Sequence, residues 1–458
     1  MGVIFLLIFT AYITIQAFAT KLYGDELGSN MALTLYAVFT AACFIAPAIT
    51  NVLGPRFTLF LGSLGYAALV MASLVFALAG SSAGTQALVI LGGACCGLGA
   101  ALLWTAQGRM MLEWSNGVDQ GAIFAIFWAL FNMSALVGGM LTYCYFAEHD
   151  IEDQKNLWPL YVVFLSCIIV GGAFTQLLSA GSHGGHETTS ALTPEAPPVN
   201  GALVAEVHPP RGGEPSFPAT MDWYTEAKAT IRLFGTRTMV ILGPLMWYTG
   251  FNQPYQLNTF GDRFFAPRAL GIEVIVFYGA EIIGGFAAGW LLDRDPTRPR
   301  HAALRQLAIF MVVTTGGYLL ALPSELSAAR DEWPESDVAP LRLNETAILP
   351  PTAAYALWGL SDSQIQAYSY WLMRHLFADG PEQSRAVGFY KMIQSLGWCV
   401  GFAIVPASRV PPIIQMGLTF ACAVLGVVLA LFRLPSTACK SAADRLDGPL
   451  LTSNTAVE

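Results

Sequence analysis

The chain has 458 residues, of which 55% are hydrophobic and only 12% are Asp, Glu, Lys or Arg. Soluble domains carry about 25% charged residues, so this composition excludes an ordinary soluble enzyme. The net charge of −8 argues against nucleic acid as a partner. Mean hydropathy is +0.53, and apolar runs of about 20 residues recur, the length of a helix that spans a bilayer. The sequence therefore predicts an all-α membrane protein whose partner is the lipid bilayer.

Twelve transmembrane helices are predicted, in two groups of six. The first group lies near residues 3–20, 31–50, 57–79, 86–112, 121–146 and 157–178. The second group lies near residues 238–260, 269–292, 303–323, 347–376, 384–407 and 411–433. The chain thus divides into an N-terminal six-helix bundle (1–178), a cytosolic linker (179–236), a C-terminal six-helix bundle (237–433) and a cytosolic tail (434–458).

The linker has two parts of different composition. Its first part is rich in Gly, Pro, Ser and Thr, which predicts disorder. Its last part, MDWYTEAKATIRLF, places Trp223, Ala227, Ile231 and Phe234 on one helical face. We expect a short helix there that lies on the membrane surface.

Positive charge predicts the orientation. Most of the 23 Lys and Arg residues fall in loops that are cytosolic if both termini are cytosolic. The opposite loops, 147–156 and 324–346, are acidic, and the second holds the sequon Asn344-Glu345-Thr346. Asn344 is therefore a candidate glycosylation site on the side away from the cytosol. The sequence does not separate the plasma membrane from an internal membrane.

The first span has a second interpretation as a cleaved signal peptide. It ends in Ala17-Phe18-Ala19, a pattern of small residues that signal peptidase cleaves. No Lys or Arg precedes the apolar run, and the run contains Tyr12 and Gln16. These features favour a span that stays in the protein.

The two halves resemble each other weakly. The stretch from Pro47 to Arg56 after the second span matches the stretch from Gly289 to Arg298 after the eighth span. The pair Leu103-Trp104 in the fourth span matches Leu357-Trp358 in the tenth, and Asn132 in the fifth matches Gln394 in the eleventh. Three matches in the same order indicate a duplicated transporter fold.

Several motifs resemble a known family. They are GWLLDRDPTR at 289–298, GLGAALLWTAQG at 97–108, IFWALFN at 126–132, ALWGLSDSQIQAYSYWLM at 356–373 and GFYKMIQSLGW at 388–398. The first resembles the signature loop of the major facilitator superfamily, and the set resembles its UNC-93-like branch. The resemblance implies two six-helix bundles around a central cavity, lined mainly by helices one, four, seven and ten. It also implies regulation of ion channels or trafficking of receptors, with transport inferred from the fold.

The signature loop is a candidate cytosolic gate. The resemblance implies that Gly289, Asp293, Arg294 and Arg298 help to hold the cytosolic side closed through charge pairing. A carboxylate beside several arginines at a helix end suits such a role. The first-half copy carries Asn51 where the superfamily usually has Asp, so Asn51 cannot form that ion pair.

Two carboxyl groups are predicted near the bilayer midplane. Glu281 lies in the middle of the eighth span and Asp362 at a similar depth in the tenth. Intramembrane charges are costly and commonly functional. A buried carboxyl group that a cavity reaches can carry protons. The competing interpretation is a neutral, hydrogen-bonded packing group between the bundles.

Polar residues accompany these acids on the helices expected to line the cavity. Asp362, Gln366 and Ser369 follow a helical i, i+4, i+7 spacing and share one face, while Gln364 lies off it. Pro254 is expected to bend the seventh span. The other polar candidates for the cavity are Asn252, Gln256, Gln107 and Gln16. Such residues either line a cavity or form hydrogen bonds between helices.

Other intramembrane polar residues are given structural roles. Asn132 and Gln394, which are related by the repeat, are predicted at the interface of the bundles. Lys391 lies three residues before Gln394, near the cytosolic end of its span. We expect its side chain to extend to the membrane surface rather than to pair with Asp362.

Two functions remain open from the sequence. The first is a transporter that moves a small solute or ion by alternating access, with protons carried by Asp362 or Glu281. The second is a non-transporting regulatory or trafficking subunit for an ion channel or membrane receptor. No nucleophile with a base, no phosphate-binding loop and no metal-ligand cluster occurs in the sequence, so neither an enzyme nor a cofactor is expected.

Overall fold

The computed structural model describes residues 1–17, 23, 25–114, 120–148, 158–178, 223–265, 267–295, 297–328, 341–377, 380–405 and 409–435. Among these residues the chain is helical, apart from turns and an isolated parallel bridge between Phe265 and Leu341. The part of the linker predicted to be disordered, and nearly all of the tail, lie outside the described residues.

Within the described residues of the first half, seven helices are present. They are α1 (Gly2–Ala17), α2 (Asp25–Ala42), α3 (Ala46–Leu53), α4 (Pro55–Ala79), α5 (Ala83–Trp114), α6 (Gln120–Glu148) and α7 (Trp158–Phe174), which ends in a 3-10 turn, Thr175–Leu177. Glycine ends two of them, because Gly54 and Gly80 have φ angles of 81° and 77° that other residues rarely adopt. A break after Ala42 bends α2 against α3 by 60°.

The linker helix and the second half follow. They comprise α8 (Trp223–Phe234), α9 (Arg237–Gln253), α10 (Pro267–Asp293), α11 (Pro299–Ala328), α12 (Leu349–Leu376), α13 (Gly380–Ile404) and α14 (Pro412–Ala430). A π-helix, Pro254–Phe260, continues α9 and leads into a short turn, Gly261–Phe264. Two 3-10 turns, Thr346–Ile348 and Leu431–Arg433, adjoin α12 and α14. Pro254 has no backbone N–H for an α-helical hydrogen bond, which favours the wider turn.

Six of these helices are long and apolar enough to cross a membrane. They are α4, α5, α7, α10, α11 and α14, and the bent pair α2 and α3 would be a seventh if it forms one span. The remaining helices do not meet both conditions over their described residues; α12, for example, carries a run of buried polar side chains. The protein is therefore a helical, multi-pass membrane protein. Among the described residues, length and composition identify six spans, or seven with the bent pair, and the twelve predicted spans stay a prediction.

Helices pair in the same way in the two halves. In the first half, α4 packs on α5, α2 on α5, α1 on α6 and α1 on α7. In the second half, the corresponding pairs are α11 with α12, α10 with α12, α9 with α13 and α9 with α14. The repeat seen weakly in the sequence thus recurs as a repeat of helix packing.

Two antiparallel seams join the halves. In the first seam α6 runs along α10, with Trp128 against Gly285. In the second seam α2 runs along α13: the Tyr36 and Phe402 rings stack with centroids 5.5 Å apart, and the hydroxyl oxygens of Thr40 and Ser395 lie 2.9 Å apart. Any rearrangement that moves one half against the other must therefore change contacts along both seams.

The helix predicted at the end of the linker is present as α8, but its docked face differs from the predicted one. Phe234 is buried against the rings of Phe44 and Phe389 rather than directed to lipid. Glu226 and Leu233 are buried as well. Ala227 and Ile231 are exposed, so an apolar strip remains free of protein contact. The sequence interpretation was wrong for Phe234 because periodicity does not distinguish a protein surface from a lipid surface.

Candidate functional site

Asp362 lies in the middle of α12 and is completely buried. Its carboxylate accepts three amide hydrogen bonds. Asn252 Nδ2 donates to Oδ1 at 2.8 Å, Gln253 Nε2 donates to Oδ2 at 3.1 Å, and Gln366 Nε2 donates to Oδ2 at 2.8 Å. Among the described residues no cation forms an ion pair with it. The acid is thus held by neutral donors, which leaves its protonation free to change without breaking a salt bridge.

The helical spacing explains part of this arrangement. Gln366 reaches Asp362 from one turn further along α12, as the shared face predicted. Asn252 and Gln253 come from the last turn of α9, directly before Pro254. Gln253 was not singled out from the sequence, although its position beside Asn252 and before a proline is a usable signal. Its Oε1 accepts a hydrogen bond from Trp398 Nε1 at 3.0 Å, which fixes the amide.

Glu281 lies beside this group, at the seam between the halves. It is 1% exposed in α10 and lies near Asp362 of α12 and near Asn132 and Trp128 of α6. Its Oε1 makes no hydrogen bond within the described structure, and neither does either side-chain atom of Asn132. The buried carboxyl groups of Glu281 and Asp362 therefore lie near each other, beside buried polar atoms that have no hydrogen-bond partner among the described residues.

A chain of hydrogen bonds leads from Asp362 into α13. Gln366 Oε1 accepts from Gln394 Nε2 at 3.3 Å and from Tyr390 OH at 3.4 Å. Gln394 Oε1 in turn accepts from Lys391 Nζ at 2.8 Å. All of these side chains are buried. We call the chain Asp362–Gln366–Gln394–Lys391 the polar relay.

Lys391 is at the far end of the relay and does not extend to the membrane surface. The side chain is 1% exposed, and Nζ lies 4.3 Å, 4.9 Å and 5.6 Å from the ring centroids of Trp104, Tyr390 and Tyr370. The sequence interpretation was therefore wrong. Ring faces and an amide oxygen replace part of the lost hydration of an ammonium group, and Trp104 comes from the first half of the chain.

Four other predicted cavity residues lie outside the relay. Gln107 is buried in α5, and its Oε1 accepts from Tyr370 OH at 3.3 Å. Gln256 lies in the π-helix and donates to Tyr318 OH at 3.5 Å. Gln364 is buried off the Asp362 face, and its Oε1 makes no hydrogen bond in the described part of the chain.

Gln16 belongs to a separate cluster. Its Nε2 donates to Tyr36 OH at 2.6 Å, and Tyr12 OH lies 3.3 Å from the same oxygen. The three residues line a small pocket between α1 and α2. Gln16 thus contributes to the packing of the first half and not to the group around Asp362.

The predicted gate residues lie in the last turns of α10 or just after its end at Asp293. Asp293 Oδ2 accepts from the backbone N–H of Ala122 at 3.0 Å, so the signature loop contacts the start of α6 in the other half. A carboxylate is favourable at a helix N-terminus. The Arg294 guanidinium lies 5.0 Å from the ring centroid of Trp290 on its own helix. Arg298 is exposed and Gly289 is buried in the last turns of α10.

The ion pair between Arg263 and Glu325 was not predicted from the sequence. Arg263 Nη1 lies 2.9 Å from Glu325 Oε2, and Tyr255 OH donates to Glu325 Oε1 at 3.0 Å. The sequence interpretation placed Glu325 in the loop 324–346, whereas α11 extends to Ala328 and buries it. The helix continues through Pro323. Asn344, the sequon asparagine, is exposed in the segment before α12.

The fold is that of the major facilitator superfamily. A crystal structure of the superfamily transporter FucP in the outward conformation matches with a TM-score of 0.60 at 10% identity, covering 95% of this chain and 98% of that one. The proton:xylose symporter XylE matches with a TM-score of 0.62 at 11% identity, covering 95% and 94%. These identities are low, so the match concerns the fold.

The family model described as ion channel regulatory protein UNC-93 matches residues 28–432, and the chain belongs to this family. UNC93-like protein 1 from Arabidopsis thaliana is 28% identical over 395 residues, which cover 86% of this chain and 79% of that protein. UNC93-like protein MFSD11 from Xenopus laevis is 25% identical over 427 residues, covering 88% of each. The resemblance seen in the sequence motifs is thereby confirmed.

Proposed function

We propose that this protein is a secondary transporter that moves a small solute or ion by alternating access, with protons carried by Asp362 and Glu281. The observation that carries the proposal is the burial of Asp362 among neutral amide donors, next to a second buried carboxyl group. Two adjacent carboxyl groups away from water resist simultaneous ionisation. Such a pair is suited to bind and release one proton as its surroundings change.

The polar relay supports the same proposal. It connects the acid in α12 with a lysine that contacts α5, so it crosses from one half to the other. Motion between the halves would change the surroundings of Lys391 and Asp362 together. A change in protonation at one end is thereby coupled to the relative position of the halves, as alternating access requires.

The proposal includes a topology. The chain would cross the membrane twelve times as two six-helix bundles, 1–178 and 237–433, with both termini, the linker 179–236 and the tail 434–458 in the cytosol. Asp293 would then close the cytosolic side through its contact with Ala122. Asn344 would carry a glycan on the other side. No catalysis is proposed, and among the described residues no cluster of acids, histidines and cysteines could hold a metal ion.

The second candidate is a regulatory or trafficking subunit that does not transport. The family description, ion channel regulatory protein, favours it, and so does the loss of the acidic residue at Asn51. In this case the buried acids would serve as neutral packing groups, and an ion channel or membrane receptor would be the partner.

Reconstitution distinguishes the two functions. Purified protein in liposomes that contain a pH-sensitive dye is given an outward or inward proton gradient and a panel of sugars, amino acids and organic ions. We expect at least one solute to produce a solute-dependent proton flux that Asp362→Asn abolishes. Glu345→Gln, which removes an exposed acid, should leave the flux intact. Absence of flux for every solute, together with crosslinking of wild type and Asp362→Asn to the same channel or receptor, would establish the regulatory function instead.

A further inference from the structure

Glu226 of the linker helix α8 occupies an unusual position for a surface acid. It is 1% exposed, and both of its oxygens bind the guanidinium of Arg385 in the first turns of α13. Arg385 Nε donates to Oε1 at 2.8 Å and Nη2 donates to Oε2 at 2.6 Å. Bidentate ion pairs of this kind are among the strongest polar contacts in proteins. The linker is therefore fixed to the second half by a buried charge pair.

The same carboxylate is bound to the first half. Asn51 Nδ2 in α3 donates to Glu226 Oε1 at 2.5 Å, and Asn51 Oδ1 accepts from Arg109 Nη1 in α5 at 2.9 Å. The resulting chain is Arg109–Asn51–Glu226–Arg385. It runs from the first half through the linker to the second half, at the end of the molecule predicted to be cytosolic.

The repeat shows what this carboxylate replaces. In the second half, Asp293 of the signature loop contacts the start of α6 across the halves. In the first half, the equivalent contact would join the loop at Asn51 to the start of α13. Asn51 has no charge, and Glu226 brings a carboxylate to that place from outside both halves. The missing acid of the first copy is thus restored by a different segment.

Aromatic packing docks the other end of α8 on the same two halves. The Phe234 ring lies between Phe44, at the turn after α2, and Phe389 of α13, with centroid distances of 5.6 Å and 5.2 Å. The polar contacts of Glu226 and the aromatic contacts of Phe234 each touch both halves, so α8 bridges the halves near both of its ends. Separation of α3 from α13 must break at least one of the two sets of contacts.

We propose that α8 is a latch: Glu226 supplies the carboxylate that the first-half loop lacks and holds the cytosolic side closed until the linker helix detaches. This regulation rests on the proposed function, because it assumes that the cytosolic side opens. A linker segment then controls the opening, so that release of α8 and opening between α3 and α13 occur together.

A native cysteine reports the opening directly. Cys43 is completely buried at the turn between α2 and α3, beside Gly388 of α13. In a variant that keeps Cys43 and replaces the other cysteines by Ala, its rate of alkylation by N-ethylmaleimide measures how often this contact opens. We expect slow labelling with Glu226 present and labelling about tenfold faster in Glu226→Gln, which keeps the shape and removes the charge. Lys228→Gln, on the exposed side of the same helix, should not change the rate.

A charge relocation gives the sharper test. Asn51→Asp alone places two carboxylates together and should also accelerate labelling. Combined with Glu226→Gln, it returns a single carboxylate between Arg109 and Arg385 and should bring the rate back towards that of the parent. The thermal midpoint of each variant shows whether it is folded, and Arg385→Gln opens the latch from the other side.

Each outcome decides the proposal. Equal labelling of Glu226→Gln and Lys228→Gln, or a double variant as reactive as Glu226→Gln, would overturn the latch. Failure of both Glu226→Gln and Arg385→Gln to fold would overturn it as well, because a latch is dispensable for folding. Labelling needs no solute, so a responsive Cys43 in a protein without flux would support the latch and reject transport. Solute-dependent flux in a protein whose Cys43 labelling does not respond to Glu226→Gln would reject the latch and leave the transport proposal in place.

Discussion

The amide Nε2 of Gln394 lies 3.3 Å from Oε1 of Gln366, and this contact joins α13 to α12 within the polar relay. Each hydrogen bond of the relay has its donor on the Lys391 side and its acceptor on the Asp362 side. The relay therefore has a direction, from a group that can carry positive charge to a group that can carry negative charge. The two glutamines separate these groups and still couple them.

The relay predicts a difference between two glutamines of α12. Gln366→Leu removes a donor to Asp362 and the acceptor for Gln394. We expect the solute-driven proton flux to fall about tenfold, because the free energy of one hydrogen bond to a charged group corresponds to a rate change of about that size. Gln364→Leu alters the same helix two residues away without touching the relay. Its flux, measured in the same liposomes, should stay within twofold of wild type; equal losses would contradict the relay.

We predict that Lys391 is required for proton flux but does not increase the thermal stability of the protein. Lys391→Met keeps the length of the side chain and removes a buried charge that forms no ion pair among the described residues. The substitution therefore relieves the cost of desolvating that charge. We expect an unchanged or higher thermal midpoint in detergent and a loss of flux. Lys391→Arg keeps the charge but must fit a larger, planar group among three rings, and should lower the midpoint. A large loss of stability in Lys391→Met would contradict this assignment.

Two glycines of α9 form a matched pair for packing. A methyl group at Gly250 would overlap the carbonyl oxygen of Gln394, whereas one at Gly243 would meet no atom within 4 Å. Gly250→Ala should cost about 1–3 kcal/mol through overpacking and separate α9 from α13. Gly243→Ala should be neutral or stabilise by about 0.5–1 kcal/mol through helix propensity. Thermal unfolding of the two variants in the same detergent checks the sign of each change.

The ion pair between Arg263 and Glu325 is expected to stabilise the second half. Arg263→Gln leaves the buried Glu325 without its cation, and breaking such a pair costs about 3–5 kcal/mol. We expect the lower end of this range, because the Arg263 side chain is 20% exposed. Glu325→Gln removes the charge together with the pair and should cost less. Arg342→Gln, an exposed residue, is the control, and an equal midpoint for all three variants would refute the expectation.

Glycosylation tests the proposed orientation. Protein expressed in eukaryotic cells should lose mass on treatment with an endoglycosidase, and Asn344→Gln should remove this shift. Asn344 is exposed, as modification requires. A mass shift that persists in Asn344→Gln would place the glycan elsewhere, and modification of the linker would invert the topology.

The sequence predicted the helices and one face of the site well. Apolar runs located the helices because burial in lipid demands them. The spacing of Asp362 and Gln366 predicted their contact because both lie in a regular α-helix. The cavity candidate Gln256 does not join this site: it lies in the π-helix and donates to Tyr318 OH, and Gln253 joins Asn252 at the carboxylate instead.

Contacts between distant segments could not be predicted from periodicity. Lys391 is stabilised by rings from three helices, which no local pattern reveals. The contacts of Glu226 could not be predicted either, because its partners Asn51 and Arg385 are more than 150 residues away in the chain. The repeat offered the one indirect signal, an uncharged Asn51 where a carboxylate was expected.

The 60° bend between α2 and α3 divides this helix pair into two segments that can tilt relative to each other. Above the bend, Thr40 is anchored to Ser395; below it, the eight residues of α3 form an arm of about 12 Å that ends near Asn51. A tilt of the arm by about 10° would displace its tip by about 2 Å, which is enough to separate Asn51 from its partners while Thr40 stays in place. A small rotation at one joint can thus be converted into a broken contact at the far end.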